Sequence, residues 1–576
     1  MKRWLWAGGV ALAVLAPLRA QEIFPLDQIR PGLRGVSLTV LQGTKVEAIE
    51  TEILGVQKGA LGPGRDLIIG RLVDPRTALS GAVHGMSGSP LMIEGKLAGA
   101  LSRRLMLFEK DGHCGFTPAA DMFDVERRSR SPEAAPPWQS ASWLTREQWQ
   151  SWGLASKPQL PGDWLGVPVA LPQWDEQSAA ALAPWLKQLP GLVPVAGRAS
   201  QSTLTQSMPL EPGNALSVVL MEGDIQIAGT GTLTWTDGTR FMGFGHPMLG
   251  IGEARFPVAP AEIITIIPSF LMPHKLSNTG PIRGAMTQDR LSAISGSFAG
   301  EAPMGRYHLR RTHQGEKRPD LQGRFAQHEL LSPFLVAMAL RDVLIDEQDF
   351  SLEATLRIQG KIGLKGLPPL ELDGLYSGDF GARMGALIDQ IFPLLQLANA
   401  YPKQVMIESL EATVATYENA SVWEIHAIRP LVRAARPGAD VPVEVGVRNP
   451  RGQERWIRSS LRVPEEVRSG QVVLRASGGD LLSREAQMEE RFGRSSGPEA
   501  VLRARRLYAS DRVHTHLAVL KPGQTSEGWR LPALPPSVTR SQESRGILRH
   551  VLAETSQTID GVVRGSAETS LKVELP

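Results

Sequence analysis

Only one cysteine, Cys114, occurs in the 576 residues of this chain. That excludes an internal disulfide and any zinc site built on cysteine pairs. A lone cysteine reads either as a small buried hydrophobe or as an exposed regulatory thiol. Charge of one sign is also missing: 62 Lys and Arg against 59 Asp and Glu leave a formal net charge of +3. No basic block interleaved with aromatics is present, so nothing points to nucleic acid. Beyond the N-terminus no apolar run reaches the length of about 18 residues that a membrane-spanning helix needs. No internal repeat with a period of about 20–50 residues is evident either.

What the chain does hold is glycine (58) and proline (43), spread among short apolar runs. This composition predicts many short strands and turns, and the length predicts about two to four domains. Residues 1–20 read as a signal peptide, with Lys2 and Arg3, an apolar run from Leu5 to Leu15 and cleavage near Ala20. Leu18 suits that cleavage poorly, and an uncleaved anchor is the other reading. The expected location is outside the cytoplasm, periplasmic or extracellular.

Residues 21–128 read as a compact β unit, with strands over Leu33–Leu41, Val46–Val56 and Leu67–Leu72 and a strand–helix transition after Gly115–Pro118. Residues 129–200 are a linker (SRSPEAAPP) followed by a Trp- and Pro-containing stretch that carries no assignment. A second β unit occupies 201–300, with a hairpin turn at Asp237-Gly238. Residues 301–428 form an α+β region expected to complete the core. Its helices are placed over Ala326–Ile345, broken or started late by Pro333, and Ala382–Ala400, interrupted by Pro393. Residues 429–576 read as a C-terminal β-sandwich with a helix near Glu499–Tyr508.

The chemistry-bearing stretch is Gly81-Ala-Val-His-Gly85-Met-Ser87-Gly-Ser-Pro90, ahead of a hairpin-like Leu91–Ala100. A serine between glycines on a tight turn between apolar strands is a way to present a nucleophile. Gly85 lets a substrate carbonyl approach, and its N–H with that of Ser87 forms an oxyanion hole, at about 3 kcal/mol per donor. A Gly/Ser-rich turn with no catalytic meaning has the same composition. A serine needs a base, and the base an orienting group. His246, in Gly243-Phe-Gly-His-Pro247, is the foremost candidate base, its alternative being a structural histidine bonded to a loop carbonyl. His84, His113 and His274 are weaker. Asp74, in Leu72-Val-Asp-Pro75, is the candidate acid or else a turn-capping carboxylate. Asp66 and Asp289 are the alternates, and pairing with Arg290 is the simpler account of Asp289.

These residues resemble the SpoIVB family of chymotrypsin-like serine peptidases. The likeness rests on Gly85–Pro90, Gly95–Ala100, Asp74, and Gly229-Thr-Gly-Thr-Leu-Thr234 leading into Gly243–His246. It covers about 22–128 and 215–300, less than half of the chain. It implies Ser87 as nucleophile, His246 as base, Asp74 as orienting acid, Gly85 and Ser87 as oxyanion hole, and no metal or organic cofactor. Chains similar in this way are exported bacterial proteins of unknown role. The family places its histidine segment before its serine segment, with a PDZ domain upstream; here the order is Asp74, Ser87, His246 and no PDZ domain is evident. The fold expected is therefore mainly β: a permuted double β-barrel with α+β insertions and a C-terminal sandwich. The function expected is an exported serine endopeptidase of narrow specificity acting on a protein or peptide. The alternative is an inactive peptidase-like envelope protein that binds a protein or glycan partner, for which the sandwich is a candidate surface.

Overall fold

The computed structural model describes residues 22–574 except 78–79, 106–110, 131–162, 172–191, 197–201, 203, 206–207, 270–271, 330, 345–352, 402–403, 468–469, 493–496, 500–501, 503–507, 527–528 and 532–545. The expected signal peptide, most of the expected linker and most of the helix placed near Glu499–Tyr508 lie outside the described residues. The chain divides into two compact units, one comprising 1–220 and 226–302, the other 221–225 and 303–576. The segments expected as separate β units, 21–128 and 201–300, thus share one unit. The α+β region falls instead with the sandwich.

The first unit opens with strands β1 (Arg34–Val40), β2 (Val46–Gln57), β3 (Leu67–Leu72), β4 (Pro90–Ile93), β5 (Lys96–Arg104) and β6 (His113–Pro118); β2 alternates in burial, whereas β5 and β6 are buried on both faces. Their pairing order β4-β1-β2-β3-β6-β5 closes through β4–β5 into a six-stranded barrel. Inside lie Ile49, Ile53, Ile68, Leu91, Leu101, Cys114 and Phe116. Cys114 is buried, as the first of its two readings has it. Helix α1 (Ala119–Arg130) follows β6 directly and takes in Ser129, where the linker was expected to begin.

After β7 (Asp163–Trp164), β8 (Val167–Leu171) and β9 (Leu192–Ala196), the chain builds β10 (Ala215–Gly223), β11 (Ile227–Thr236), β12 (Arg240–Gly243), β13 (Gly252–Ile267), β14 (His274–Thr279), β15 (Ala285–Arg290) and β16 (Ala293–Ser297). The order β10-β13-β15-β16-β12-β11 closes through β10–β11 into a second six-stranded barrel. The β11–β12 connection turns at Gly238 (φ +91°), as the Asp-Gly pair predicts, with the Asp237 carboxylate accepting from the amides of Thr239 and Arg240. Two apolar seams join the barrels. Leu97, Ala100, Met122 and Val125 pack with Trp235, Met242 and Ala293, and Val40 packs with Ala215, Ala261 and Ile263.

In the second unit, a sheet orders Leu370–Gly378, Ala354–Leu364, Ile407–Tyr417, Met304–His313 and Glu316–Ala326, extended by residues 221–223. The helix Ser332–Leu344 takes Pro333 in its first turn, where the missing N–H costs nothing. The helix Phe380–Ala400 runs through Pro393 without the expected interruption. Burial of Leu387, Ile391, Leu394 and Leu397 around the proline outweighs a kink cost of about 3 kcal/mol. The C-terminal part is a sandwich of a four-stranded and a six-stranded sheet. Their shared core includes Trp423, Val441, Val443, Val445, Leu474, Leu517 and Leu571. Among the described residues, no helix is long and apolar enough to cross a membrane.

Candidate functional site

Ser87 sits on the loop that enters β4, and the second barrel grips that loop along β11. Strand alternation puts Thr230, Thr232 and Thr234 on one face. Thr232 Oγ1 donates to the Gly85 carbonyl (3.1 Å) and Thr234 Oγ1 to that of Gly88 (2.7 Å). The Thr232 amide donates to the Ser87 carbonyl (2.7 Å), and the Gly88 amide to Leu101 in β5 (2.7 Å). Gly88 is required here: at φ +93°, a Cβ would stand 2.1 Å from the Thr232 carbonyl oxygen and 2.4 Å from the Phe244 nitrogen. The Gly229–Thr234 repeat is therefore the surface that receives the serine loop.

Ser87 is fully buried, and among the described residues its Oγ has no hydrogen-bond partner. Among the described residues, the amides of Gly85 and Ser87 donate to no acceptor, whereas Met86 and Ser89 close tight turns onto Val83 and Met86. Two unspent donors beside an unspent hydroxyl are what a developing oxyanion requires.

The serine and histidine segments meet. The Phe244 backbone lies against Gly88, and Gly245 packs against Ala100 and Leu101, its carbonyl accepting from Thr117 Oγ1 (2.6 Å). His246 is buried, and its Nδ1 donates to the Pro247 carbonyl (2.7 Å). Burial pushes its pKa down to about 4, against the raising influence of the Pro247 and Leu165 backbones, so the ring is neutral at pH 7.

Asp74 is not joined to this pair. Its carboxylate accepts from the Arg76 amide (2.9 Å), Nε (2.9 Å) and Nη2 (2.7 Å), and Arg76 holds it below the usual carboxylate range. The Asp-Pro turn takes the capping role that was its alternative, with the Asp74 carbonyl accepting from the Thr77 amide. Asp66 is likewise committed, to the Gly59 amide and to Lys58.

Asp289 departs from the expected pairing with Arg290, whose Nε donates to Gln288 instead. Fully buried, Asp289 accepts from the amides of Met248 (2.7 Å), Leu249 (2.8 Å) and Gly250 (2.8 Å), fixing the turn that follows His246. Of the lesser histidines, His84 turns Nδ1 to the Gly166 carbonyl (3.1 Å) and His274 to that of Met272 (2.9 Å). His113 lies in β6.

Sequence reasoning missed Lys275. It is buried in β14, and its Nζ donates to Thr39 Oγ1 in β1 (2.8 Å). Its aliphatic stem covers the face of Gly85, where a Cβ would stand 3.1–3.3 Å from Lys275 Cβ, Cγ and Cδ. Burial pulls its pKa down to about 7. A single lysine in a polar strand (HKLSNT) carries no sequence signal for this; only the hairpin β13–β14 brings it to the serine loop.

No family model, no curated protein and no solved structure matches this chain.

Proposed function

We propose that the chain is a serine endopeptidase of the SpoIVB type, exported and of narrow specificity, working in a permuted chymotrypsin-like double barrel. The observation that carries this reading is Ser87: a buried hydroxyl on a glycine-flanked loop that, among the described residues, has no partner and stands next to two amides with no acceptor. Ser87 attacks a peptide carbonyl, and the Gly85 and Ser87 amides take the oxyanion. His246 is the base that the resemblance implies, and its neutral ring is the form able to accept a proton. The orienting position at its Nδ1 is filled by the Pro247 carbonyl, while Asp74 stays with Arg76. Chain order does not bear on such a site, which is defined by geometry.

The test is labelling of the purified full chain with a fluorophosphonate, together with cleavage of a peptide library. Ser87→Ala is expected to abolish both with an unchanged unfolding transition. Labelling or cleavage that survives in Ser87→Ala refutes the assignment.

A second reading, an inactive peptidase-like envelope protein, is favoured by the complete burial of Ser87. A groove of about 640 Å³ in the second unit, lined by Arg310, Lys361, Glu371, Asp373, Glu411 and Thr413 among others, offers such a protein a charged surface for a protein or glycan partner.

A further inference from the structure

From Gly99 to Arg104, strand β5 gives one edge to β6 and divides the other among three segments. Up to Ala100 that second edge pairs with β4. At Leu101 the serine loop takes over: the Gly88 amide donates to the Leu101 carbonyl (2.7 Å), and the Leu101 amide donates to the Ser89 carbonyl (3.0 Å). From the next residue the edge belongs to residues 163–165. The Leu165 amide donates to the Ser102 carbonyl (3.1 Å), and Arg103↔Trp164 and Arg104↔Asp163 continue the antiparallel ladder. One step along β5, about 3.3 Å, thus separates the residue that bonds the serine loop from the residue that bonds this segment.

The segment then crosses to the second barrel. The Gly166 carbonyl accepts from Nδ1 of His84 (3.1 Å), three residues before Ser87. The Leu165 backbone stands close enough to the His246 ring to raise its pKa against burial. Val169 pairs with Gly229 in β11, three residues from Thr232, whose amide holds the Ser87 carbonyl. Gly229 leaves room for this crossing, since a Cβ there would stand 2.6 Å from Val167 Cγ1 and 3.1 Å from Met248 Cε. Leu165, Gly166 and Val167 are buried, and Leu165 joins the apolar cluster that holds Val83, Met86 and Leu101. Residues 163–169 therefore form a strap anchored on both barrels beside the serine loop, with its middle turned to both histidines.

A strand edge beside a nucleophile is a place where an extended peptide pairs through its backbone. Here the chain itself takes that edge. The strap does not enter the oxyanion position, because the Gly85 and Ser87 amides donate to no acceptor among the described residues. It covers the site without presenting a carbonyl for attack, as an inhibitor does and a substrate does not. We propose that residues 163–167 are a built-in inhibitor, lying on the stretch of β5 where an extended peptide substrate pairs, and that this substrate carries a leucine-sized apolar residue in the place of Leu165. The inference rests on the reading of Ser87 as nucleophile, and within that reading it accounts for the burial of the serine. A tethered strap acts at an effective concentration on the order of millimolar. Free peptide below that level competes poorly, and reaction waits on the fraction of molecules whose strap is released.

The experiment measures the rate of fluorophosphonate labelling in the full chain for wild type, Leu165→Asp, Gly229→Ala, and Leu165→Asp combined with Ser87→Ala, with thermal unfolding of each. Leu165→Asp puts a charge at a buried position of the strap. Gly229→Ala keeps the strap's sequence and wedges it away from β11. Each is expected to raise labelling by about tenfold or more as the open fraction grows. A strand with a merely structural role would lose labelling when loosened. Leu165→Asp that folds and labels within about threefold of wild type, or more slowly, overturns the proposal, and Gly229→Ala decides by the same limit if Leu165→Asp does not fold. Hydrogen exchange on wild type reads the strap directly: residues 165–167 are expected to exchange faster once the probe occupies Ser87, and unchanged protection overturns the proposal whatever the variants do. The free peptide DWLGVPVAL, residues 163–171, is expected to slow labelling of Leu165→Asp, while its Leu165→Asp counterpart is not. Equal effects of the two peptides overturn the substrate assignment. Labelling that persists when Ser87→Ala is present, or that is absent from wild type and both strap variants, instead overturns the reading of Ser87 and the proposal with it.

Discussion

Gly88→Ala tests whether the serine loop is held by backbone contact with the second barrel. Gly88 has φ +93°, and an added Cβ would meet the Thr232 carbonyl oxygen at 2.1 Å, the Phe244 nitrogen at 2.4 Å and the Phe244 Cα at 2.9 Å. All three are backbone atoms in or next to paired strands, so none can rotate away. The positive φ costs about 1–2 kcal/mol for a residue with a Cβ, and overpacking of this kind adds about 1–3 kcal/mol. The sum is about 2–5 kcal/mol. Gly95→Ala is the matched control: its φ is +77° in the β4–β5 turn, but a Cβ there meets nothing within 4 Å. That variant is expected to lose only the conformational part, about 1–2 kcal/mol. Calorimetry on the full chain reads the difference, at about 2–4 °C per kcal/mol for a unit of this size. Gly88→Ala should melt several degrees below Gly95→Ala and label poorly with a fluorophosphonate. Equal melting temperatures for the two variants would refute the contact described between the loop and strands β11 and β12.

Other outcomes follow from the same geometry. Protonation of His246 is opposed by burial, with its pKa lowered from 6.5 to about 4, so the unfolded chain binds the proton first as pH falls. Its contribution is complete above pH 6.5 and drains away between 6.5 and about 4, by ~3 kcal/mol. His246→Gln should flatten that part of the stability profile in urea titrations, and an unchanged slope would contradict it. Asp289→Ala removes the acceptor for the amides of residues 248–250 and should cost about 2–4 kcal/mol, read as a lower unfolding midpoint, with faster hydrogen exchange in that turn. In the second unit, Arg475 holds the Glu485 carboxyl below its ordinary value of 4.5. That stabilisation is present above pH 4.5 and lost as pH falls below it. The stability gap between wild type and Glu485→Gln should therefore close under acid.

The first strands of the first unit were legible, two from alternation (Arg34–Val40 and Val46–Gln57 in the structure) and one as a short apolar run. Leu67–Leu72 falls on the residues expected, and Asp237-Gly238 makes its turn because the side chain caps amides that only the hairpin leaves open. The segments around Ser87 and His246 were legible as segments, since glycines mark the close approaches at 88 and 245. The partners were not. A carboxylate near in sequence, Asp74, had an arginine nearer still. Asp289 gave no hint that it would cap a turn some forty residues upstream. Lys275 depends on a hairpin that reaches from one barrel to another, a pairing that local pattern cannot encode. Pro393 misled for a related reason: local chemistry argues for a break, and burial along both halves of the helix overrides it.

Tyr307 fixes how this chain can be cut. Its buried hydroxyl accepts from the Ile225 amide (2.8 Å), and residues 221–225 belong to the unit that otherwise begins at Pro303. A fragment starting at 303 would lack both the amide and the edge residues 221–223 that pair with Gly323–Phe325. A fragment ending at 302 would carry that same strand end bare, as an open template for other chains. The second unit is thus threaded through the first in sequence, so residues 221–225 must wait for strands made about eighty or more residues later. Expression of either half should include a short graft or a replacement for 221–225, such as a Gly-rich turn in the first half and a tethered strand in the second.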